Sequence, residues 1–234
     1  METINPQEWK QDLPAFKEKT DQFYAGELSK ADYKGFSGGY GSYAQKDGKA
    51  SMIRLRMSGG HLTKDKLKFI ADSIKTYNVD KVHLTTCQTI QLHNLQPEAI
   101  YGIMEGGLDH GIVTMGGGGD FPRNVTVSPL SGVEKGEYFN VLPYAEAAGE
   151  YLMTFIKKEV MPRKLKVGFS NGPANETHAT FRDLGFVARE NGNFDVYSAG
   201  GLGNNARFGL KVTTREDSLL YLCNERNIHR TWKL

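Results

Sequence analysis

The stretch that decides the fold runs from SMIRLRM (Ser51 to Met57) through the helical segment after Thr63 to KVHLTTCQTIQLHNL (Lys81 to Leu95). SMIRLRM alternates apolar and polar residues, the period of a half-buried strand. Thr63 is placed to cap a helix that carries Leu67, Ile70, Ile74 and Tyr77 on one face. KVHLTT alternates again, and QTIQLH (Gln88 to His93) reads as a further strand. It leads into a helix that starts at Pro97, in the favourable first position, and buries Ile100, Ile103, Met104 and Leu108. Strand, helix, strand, strand, helix is the order of a split βαβ, so the fold class expected is α+β with a ferredoxin-like unit.

Upstream, Trp9, Leu13, Phe16 and Phe23 recur at helical spacing, which predicts one amphipathic helix over Pro6 to Tyr24, ending near Gly26. GFSGGYGSYAQKDGK (Gly35 to Lys49) is rich in Gly, Ser and aromatics and reads as a loop. Downstream, the glycine run Gly116 to Gly119 precedes DFPRNVTVSPL. A helix is expected over Tyr144 to Val160, then a strand, KLKVGF. Asp183 to Arg189 and Phe194 to Ala199 flank Asn191-Gly192, the signal of a tight hairpin. A second α+β layer begins here, and the sequence leaves open whether it stands apart or packs on the first. The organisation expected is an N-terminal helix and Gly-rich loop over 1–50, a ferredoxin-like half domain over 51–115, a further mixed α/β part over 116–212 and a divergent tail over 213–234.

A chain of 234 residues is long enough to bury a sizeable core. Its 29 Lys and Arg against 27 Asp and Glu leave a formal net charge of +2, so no global field favours nucleic acid, and any anion site is built locally. No stretch approaches the roughly 20 apolar residues that span a bilayer, and Met1 to Lys10 is polar and acidic, so a cytoplasmic protein without membrane contact is expected. The two cysteines, Cys87 and Cys223, suit a reducing compartment and are too few for a disulfide framework or a protein-bound cluster.

Local cations are present in pairs. Arg54 and Arg56 lie two apart on a predicted strand and so project from one face, and Lys164 and Lys166 repeat the arrangement. Arg123 follows the glycine-rich loop, whose free amides would add neutral donors to the same anion site. Arginine suits bidentate oxyanion binding, and lysine offers a compact charge with a shiftable proton. The plainer alternative is that such pairs mark solvated faces. Neither GGGGD nor AGGLGNN has the spacing and following helix of a dinucleotide fingerprint, which discounts a nicotinamide site. His83 and His93 match no metal-ligand spacing, and no Ser-His-Asp set or hydrolytic acid pair is evident.

RLRMSGGHLT, then HLTTCQTIQLHNL, FPRNVTVSP, MPRKLKVGFS with DLGFVA, and FDVYSAGGLG resemble, in order and spacing, the siroheme-dependent nitrite/sulfite reductases, over about Phe16 to Val212. The resemblance implies an α+β chain in which the ferredoxin-like half domain is followed by part of a mixed α/β siroheme-binding domain. It also implies siroheme coupled to a 4Fe-4S cluster, six-electron reduction of nitrite to ammonia or of sulfite to sulfide, and a ferredoxin or flavoprotein electron donor. Carried over by position, Arg56 and Arg123 fall on the substrate-binding arginines, and Lys164 and Lys166 on the active-site lysines. Arg54, Gln88, Asn124, Gly116 and Gly117 fall on the cofactor-binding side, with no metal ligand among them.

Two departures accompany the resemblance. The family usually has an arginine at the position of Cys87, and a neutral thiol does not replace that charge. The cluster cysteines belong to the family's second half, so turnover is expected to need a second half, the chain being either a truncated or frame-shifted gene product or a half-length protein that works with a separate second chain. The alternative is a non-catalytic tetrapyrrole- or anion-binding, dimerising ferredoxin-like module. A homodimer or a separate second-half chain is the partner expected in either case.

Overall fold

The computed structural model describes residues 5–158, 161, 163–203 and 205–215. Two sheets, each with its own apolar core, make up these residues. The first core is set by β2 (Ser51–Leu55), whose alternation places Ile53 and Leu55 at 0% exposure on one side and leaves Arg54 on the other. Full burial of one such aliphatic side chain contributes roughly 1.5–3 kcal/mol. β1 (Ser42–Ala44), β2, β3 (Val82–Leu84) and β4 (Ile90–Leu95) form an antiparallel sheet in the order β1-β2-β4-β3. Its apolar face packs on helices that include α1 (Pro6–Lys10), α2 (Leu13–Tyr24), α4 (Lys64–Thr76) and α5 (Pro97–Asp109). The opposite face carries the polar side chains.

Several local expectations hold. The Thr63 hydroxyl accepts from the Lys66 amide at 3.3 Å and caps α4. α5 starts at Pro97 and buries Ile100, Ile103, Met104 and Leu108. Others are corrected. The helix expected over Pro6 to Tyr24 is two helices, because Pro14 lacks the N–H that a continuous helix would need and instead occupies the first turn of α2. The loop expected over Gly35 to Lys49 holds the end of α3 (Lys30–Ser37) and all of β1. Ser29 caps α3 by accepting from the Asp32 amide at 3.2 Å. Tyr33, fully buried, stacks on Phe23 with centroids 4.3 Å apart and shares a 3.2 Å hydroxyl contact with Thr20. Leu67, expected on the buried face of α4, is 52% exposed, and all three residues of β3 are exposed because it is the sheet edge.

The second sheet has the order β5-β6-β7-β8-β9, built from β5 (Thr126–Val127), β6 (Val167–Ser170), β7 (Leu184–Ala188), β8 (Phe194–Ser198) and β9 (Leu210–Arg215). β5, β6 and β7 run parallel, and β7, β8 and β9 antiparallel. Gly192 adopts φ +85° in the hairpin between β7 and β8, as the Asn191-Gly192 dipeptide predicts. The helix expected over Tyr144 to Val160 is split into α6 (Leu142–Met153) and α7 (Phe155–Lys158), and Val160 itself lies outside the described residues, as does Cys223. No helix among the described residues is long and apolar enough to cross a membrane.

The two sheets meet through the turns that follow the strands of the first. The Gly59 amide donates to the Val125 carbonyl at 2.9 Å. Gln88, at φ +53°, donates from Nε2 to the Val127 carbonyl at 2.7 Å while its Oε1 accepts from the Val127 amide at 2.9 Å. The second layer therefore packs on the first, which settles the question the sequence left open.

Candidate functional site

At this junction a cavity of about 370 Å³ is lined by Arg54, Arg56, Arg123, Lys164 and Lys166, together with Tyr43, Thr85, Cys87, Thr89, Gln91, Gly117 and Asn124. Arg54 extends from β2, and Arg56 follows two residues later on the same side, where its backbone bridges Val113. Lys164 and Lys166, expected on a strand, instead lie just before β6 and straddle Leu165, which bridges Pro122. Arg123 is next to Pro122 and is held by its own amide donating to the Leu165 carbonyl at 2.8 Å. Side chains separated by 112 residues, from Arg54 to Lys166, thus line one space.

The cations are incompletely satisfied. Arg56, 5% exposed, donates from Nη1 to the Met115 carbonyl at 2.9 Å. Arg54 and Arg123 donate to the Gly117 carbonyl at 2.9 and 2.6 Å, and Arg123 also reaches the Gly119 carbonyl at 2.9 Å. The Nε atoms of Arg54, Arg56 and Arg123 are all buried without a hydrogen-bond partner. Buried donors are rarely left so, because each costs its desolvation. Burial, and then the charge of Arg123, pushes the Arg56 guanidinium down to about 9. Burial, and then Arg54, lowers Arg123, while burial followed by Lys166, Arg123 and Arg163 lowers Lys164. Desolvation and mutual repulsion lower Arg56, Arg123 and Lys164; no Asp or Glu among the described residues lines the cavity, and Asp120 and Asp183, outside the lining, act against this only in part. Such a lining is chemically suited to an anion.

The glycine run works differently from the expectation. Three of its four amides are not free donors to an anion: Gly116 donates to the Gly39 carbonyl at 2.7 Å, Gly117 to the Thr114 carbonyl at 2.9 Å and Gly119 to the Tyr43 hydroxyl at 2.9 Å. What it presents to the site is carbonyls, which orient the arginines. A Cβ at Gly116 would stand 2.4 Å from Arg56 Nη1, so the absence of a side chain there is what admits that guanidinium.

Gln88 does not line the cavity, because both ends of its amide are engaged by Val127. Asn124 does line it, and its Nδ2 donates to the carbonyls of Cys87 and Gln88 at 2.9 and 3.1 Å, fixing the turn between β3 and β4. Tyr43 is a site residue that the sequence reading missed: the Arg54 guanidinium lies 5.4 Å from its ring centroid. Its place in a Gly/Ser-rich stretch hid it, although the alternation GYGSYA is a strand signal. His83 and His93 sit side by side on the polar face of the first sheet, with ring centroids 6.3 Å apart, and neither lines the cavity.

Comparison with known proteins agrees with this architecture. Residues 43–107 match the family described as the nitrite/sulfite reductase ferredoxin-like half domain, and residues 118–233 the nitrite and sulphite reductase 4Fe-4S domain, a match that runs on through the tail read above as divergent. The chain is 29% identical over 166 residues to a ferredoxin-nitrite reductase of Synechococcus elongatus, covering 68% of this chain and 30% of that protein. It is 30% identical over 179 residues to the NADPH sulfite reductase hemoprotein beta-component of Nitrosomonas europaea, covering 65% and 31%. It is likewise 30% identical over 184 residues to an assimilatory ferredoxin-dependent nitrite reductase of Haloferax mediterranei, covering 70% and 31%. The fold is similar to that of the Mycobacterium tuberculosis NirA protein, with a TM-score of 0.66 at 22% identity over 90% of this chain and 43% of that one. The chain spans about 30% of the length of these curated relatives. With the two family matches lying over the two sheets whose junction forms the cation cavity, the chain belongs to the nitrite and sulfite reductase family.

Proposed function

We propose that this chain supplies the oxyanion- and siroheme-binding surface of a reductase acting on nitrite or sulfite. The observation that carries the reading is the single cavity where five cations converge without a carboxylate and three guanidinium Nε atoms lack a partner. Siroheme fits that surface, since its carboxylates would meet the uncompensated charge and give the orphaned donors acceptors. When bound, it supplies the iron at which electrons reach the substrate.

The roles proposed for this chain's own residues follow from placement. Arg56 and Arg123, held by carbonyls on fixed backbone, orient an oxyanion without reorganising. Lys164 and Lys166 complete the positive wall, and Lys164, with its proton loosened by burial and neighbouring charge, is the group best suited to give one up. Arg54, backed by Tyr43, and Asn124 hold the cofactor edge. Gly116 and Gly117 act by letting the arginines in. Gln88 acts at the joint between the sheets.

A 4Fe-4S cluster does not fit these residues by themselves, because four thiolates are needed and the sequence contains two cysteines. Turnover to ammonia or sulfide therefore requires cluster ligands from outside these 234 residues, with electrons from a ferredoxin or flavoprotein. A second copy, or a chain carrying those ligands, is the partner proposed, in the cytoplasm. The thiol of Cys87 at the edge of the site favours the second reading, a module that binds tetrapyrrole or anion without turnover.

Protein purified from siroheme-producing cells, examined by visible absorption and iron analysis, tests the proposal. Siroheme bands with one iron per chain support it. A colourless protein that also rejects added siroheme contradicts it.

A further inference from the structure

Cys87 is the one thiol among the described residues that line the cavity. It is a half-buried free thiol in the turn joining β3 to β4. That turn is stiff: the Thr85 amide donates to the Thr89 carbonyl at 3.0 Å, the two threonine hydroxyls lie 2.7 Å apart, and Asn124 holds the Cys87 carbonyl. The backbone that carries the thiol into the cavity lining is thus held in place. Arg123 and Arg182 both lie within electrostatic reach of it. The same cavity contains the buried Arg56, whose Nε has no partner. The space around the sulfur is therefore built to take negative charge.

We propose that Cys87 is a modification site that selects disulfides carrying carboxylates, so that a mixed disulfide there closes the anion cavity. The inference rests on the anion-binding reading of the cavity and adds a means of regulating it. In the exchange the Cys87 sulfur, having given its proton to solvent, attacks one sulfur of the incoming disulfide. A new S–S bond forms, the old one breaks, and the departing half leaves as a thiolate with the electron pair; Cys87 is oxidised and the departing thiol reduced. The attached half brings its carboxylates among the five cations, where they occupy the places of other anions. A reducing thiol reverses the exchange. Clefts lined by one sign of charge raise the local concentration of opposite charge, and with it the encounter rate, by about 10-fold or more.

The test uses the full chain carrying Cys223→Ser, so that Cys87 is the single thiol. Glutathione disulfide (anionic), 2-hydroxyethyl disulfide (neutral) and cystamine (cationic) are compared by the rate at which the mixed-disulfide mass appears, each divided by its rate with a small neutral thiol. At low salt the normalised rate with glutathione disulfide is expected to exceed that with the neutral reagent about 10-fold, and that with cystamine by more. The preference should shrink towards parity in Lys164→Gln/Lys166→Gln and at high salt. Equal normalised rates, a preference for cystamine, or no modification by any reagent overturns the proposal. If Cys223→Ser does not fold, the same rates are read on the wild-type chain from the mass of the peptide containing Cys87. A siroheme titration of the unmodified protein separates the two claims: siroheme binding without charge preference at Cys87 sinks this inference alone, whereas loss of both sinks the anion reading as well.

Discussion

Arg54, on β2 of the first sheet, and Arg123, in the segment that leads into β5 of the second, donate to the same acceptor, the Gly117 carbonyl, at 2.9 and 2.6 Å. Two guanidiniums drawn to one oxygen repel each other, and on the function proposed above a bound anion would relieve that repulsion. The backbone of the glycine run is thus the fixed point on which the site is assembled. A Cβ at Gly117 would stand 2.7 Å from the Thr114 carbonyl oxygen and 3.2 Å from Arg54 Cβ. Gly117→Ala is expected to cost about 1–3 kcal/mol of stability, as overpacking does. It should also weaken anion binding by displacing both arginines. Thermal unfolding and ligand titration on the same variant check both effects; unchanged affinity would separate the loop from the site.

Arg56 makes an unusual stability prediction. It is buried as a cation without a counterion, so Arg56→Met should stabilise the ligand-free protein while abolishing anion binding. The pH dependence follows from the sign of the shift. With its folded value at about 9, below that of an unfolded arginine, the folded state releases this proton first. Wild-type stability therefore rises relative to Arg56→Met as pH climbs through 9, and the difference is flat below about pH 8. Denaturant unfolding of both proteins from pH 6 to 10 reads the difference directly. A wild type more stable than Arg56→Met at neutral pH, without ligand, would contradict this account.

Gln88 is predicted to matter for the joint rather than for the ligand. Gln88→Ala removes both of its bonds to Val127 and leaves two buried backbone groups unpaired, a loss of about 1–3 kcal/mol for each such group. Hydrogen exchange at the Val127 amide should accelerate accordingly. Normal exchange at Val127 together with impaired siroheme binding would return Gln88 to the cofactor-contacting role expected from the sequence.

Lys164 sets the pH range of anion binding. Burial and the neighbouring Lys166, Arg123 and Arg163 lower its value below the ordinary 10.5. Its charged form favours a bound anion, so affinity should be full at neutral pH and fall as pH rises through that lowered value, before an exposed lysine would begin to titrate. Lys164→Arg should retain affinity to higher pH. Titrations at pH 7, 8, 9 and 10 decide the matter, and a profile unaltered by Lys164→Arg would assign the charge loss elsewhere.

The cation pairs were legible because period two and residue type are local: the two-residue spacing of Arg54 and Arg56 on an alternating strand is enough to give them a shared face. That they meet Arg123, Lys164 and Lys166 in one cavity is tertiary information, legible only through the resemblance of the ordered motifs. Tyr43 was hidden because Gly and Ser around it signal a loop, whereas the pairing of β1 with β2 overrides that local preference; the stacking of Tyr33 on Phe23 is tertiary information. Pro14 was the available warning that the first helix breaks. The direction of the glycine run, carbonyls inward and three of its four amides spent elsewhere, has no signature in residue order, since every glycine offers both groups. The place of Gln88 outside the cavity lining was hidden for a related reason: its neighbour Cys87 lines the cavity, while Gln88, at positive φ, bonds through its side chain to Val127 of β5.

The most direct test of the central claim is a siroheme titration of the purified chain followed by visible absorption, run beside Arg123→Gln. Saturable binding of one siroheme per chain, weakened at least 10-fold in Arg123→Gln and by rising salt, is the result predicted. No saturable binding, or binding indifferent to Arg123 and to salt, would contradict it.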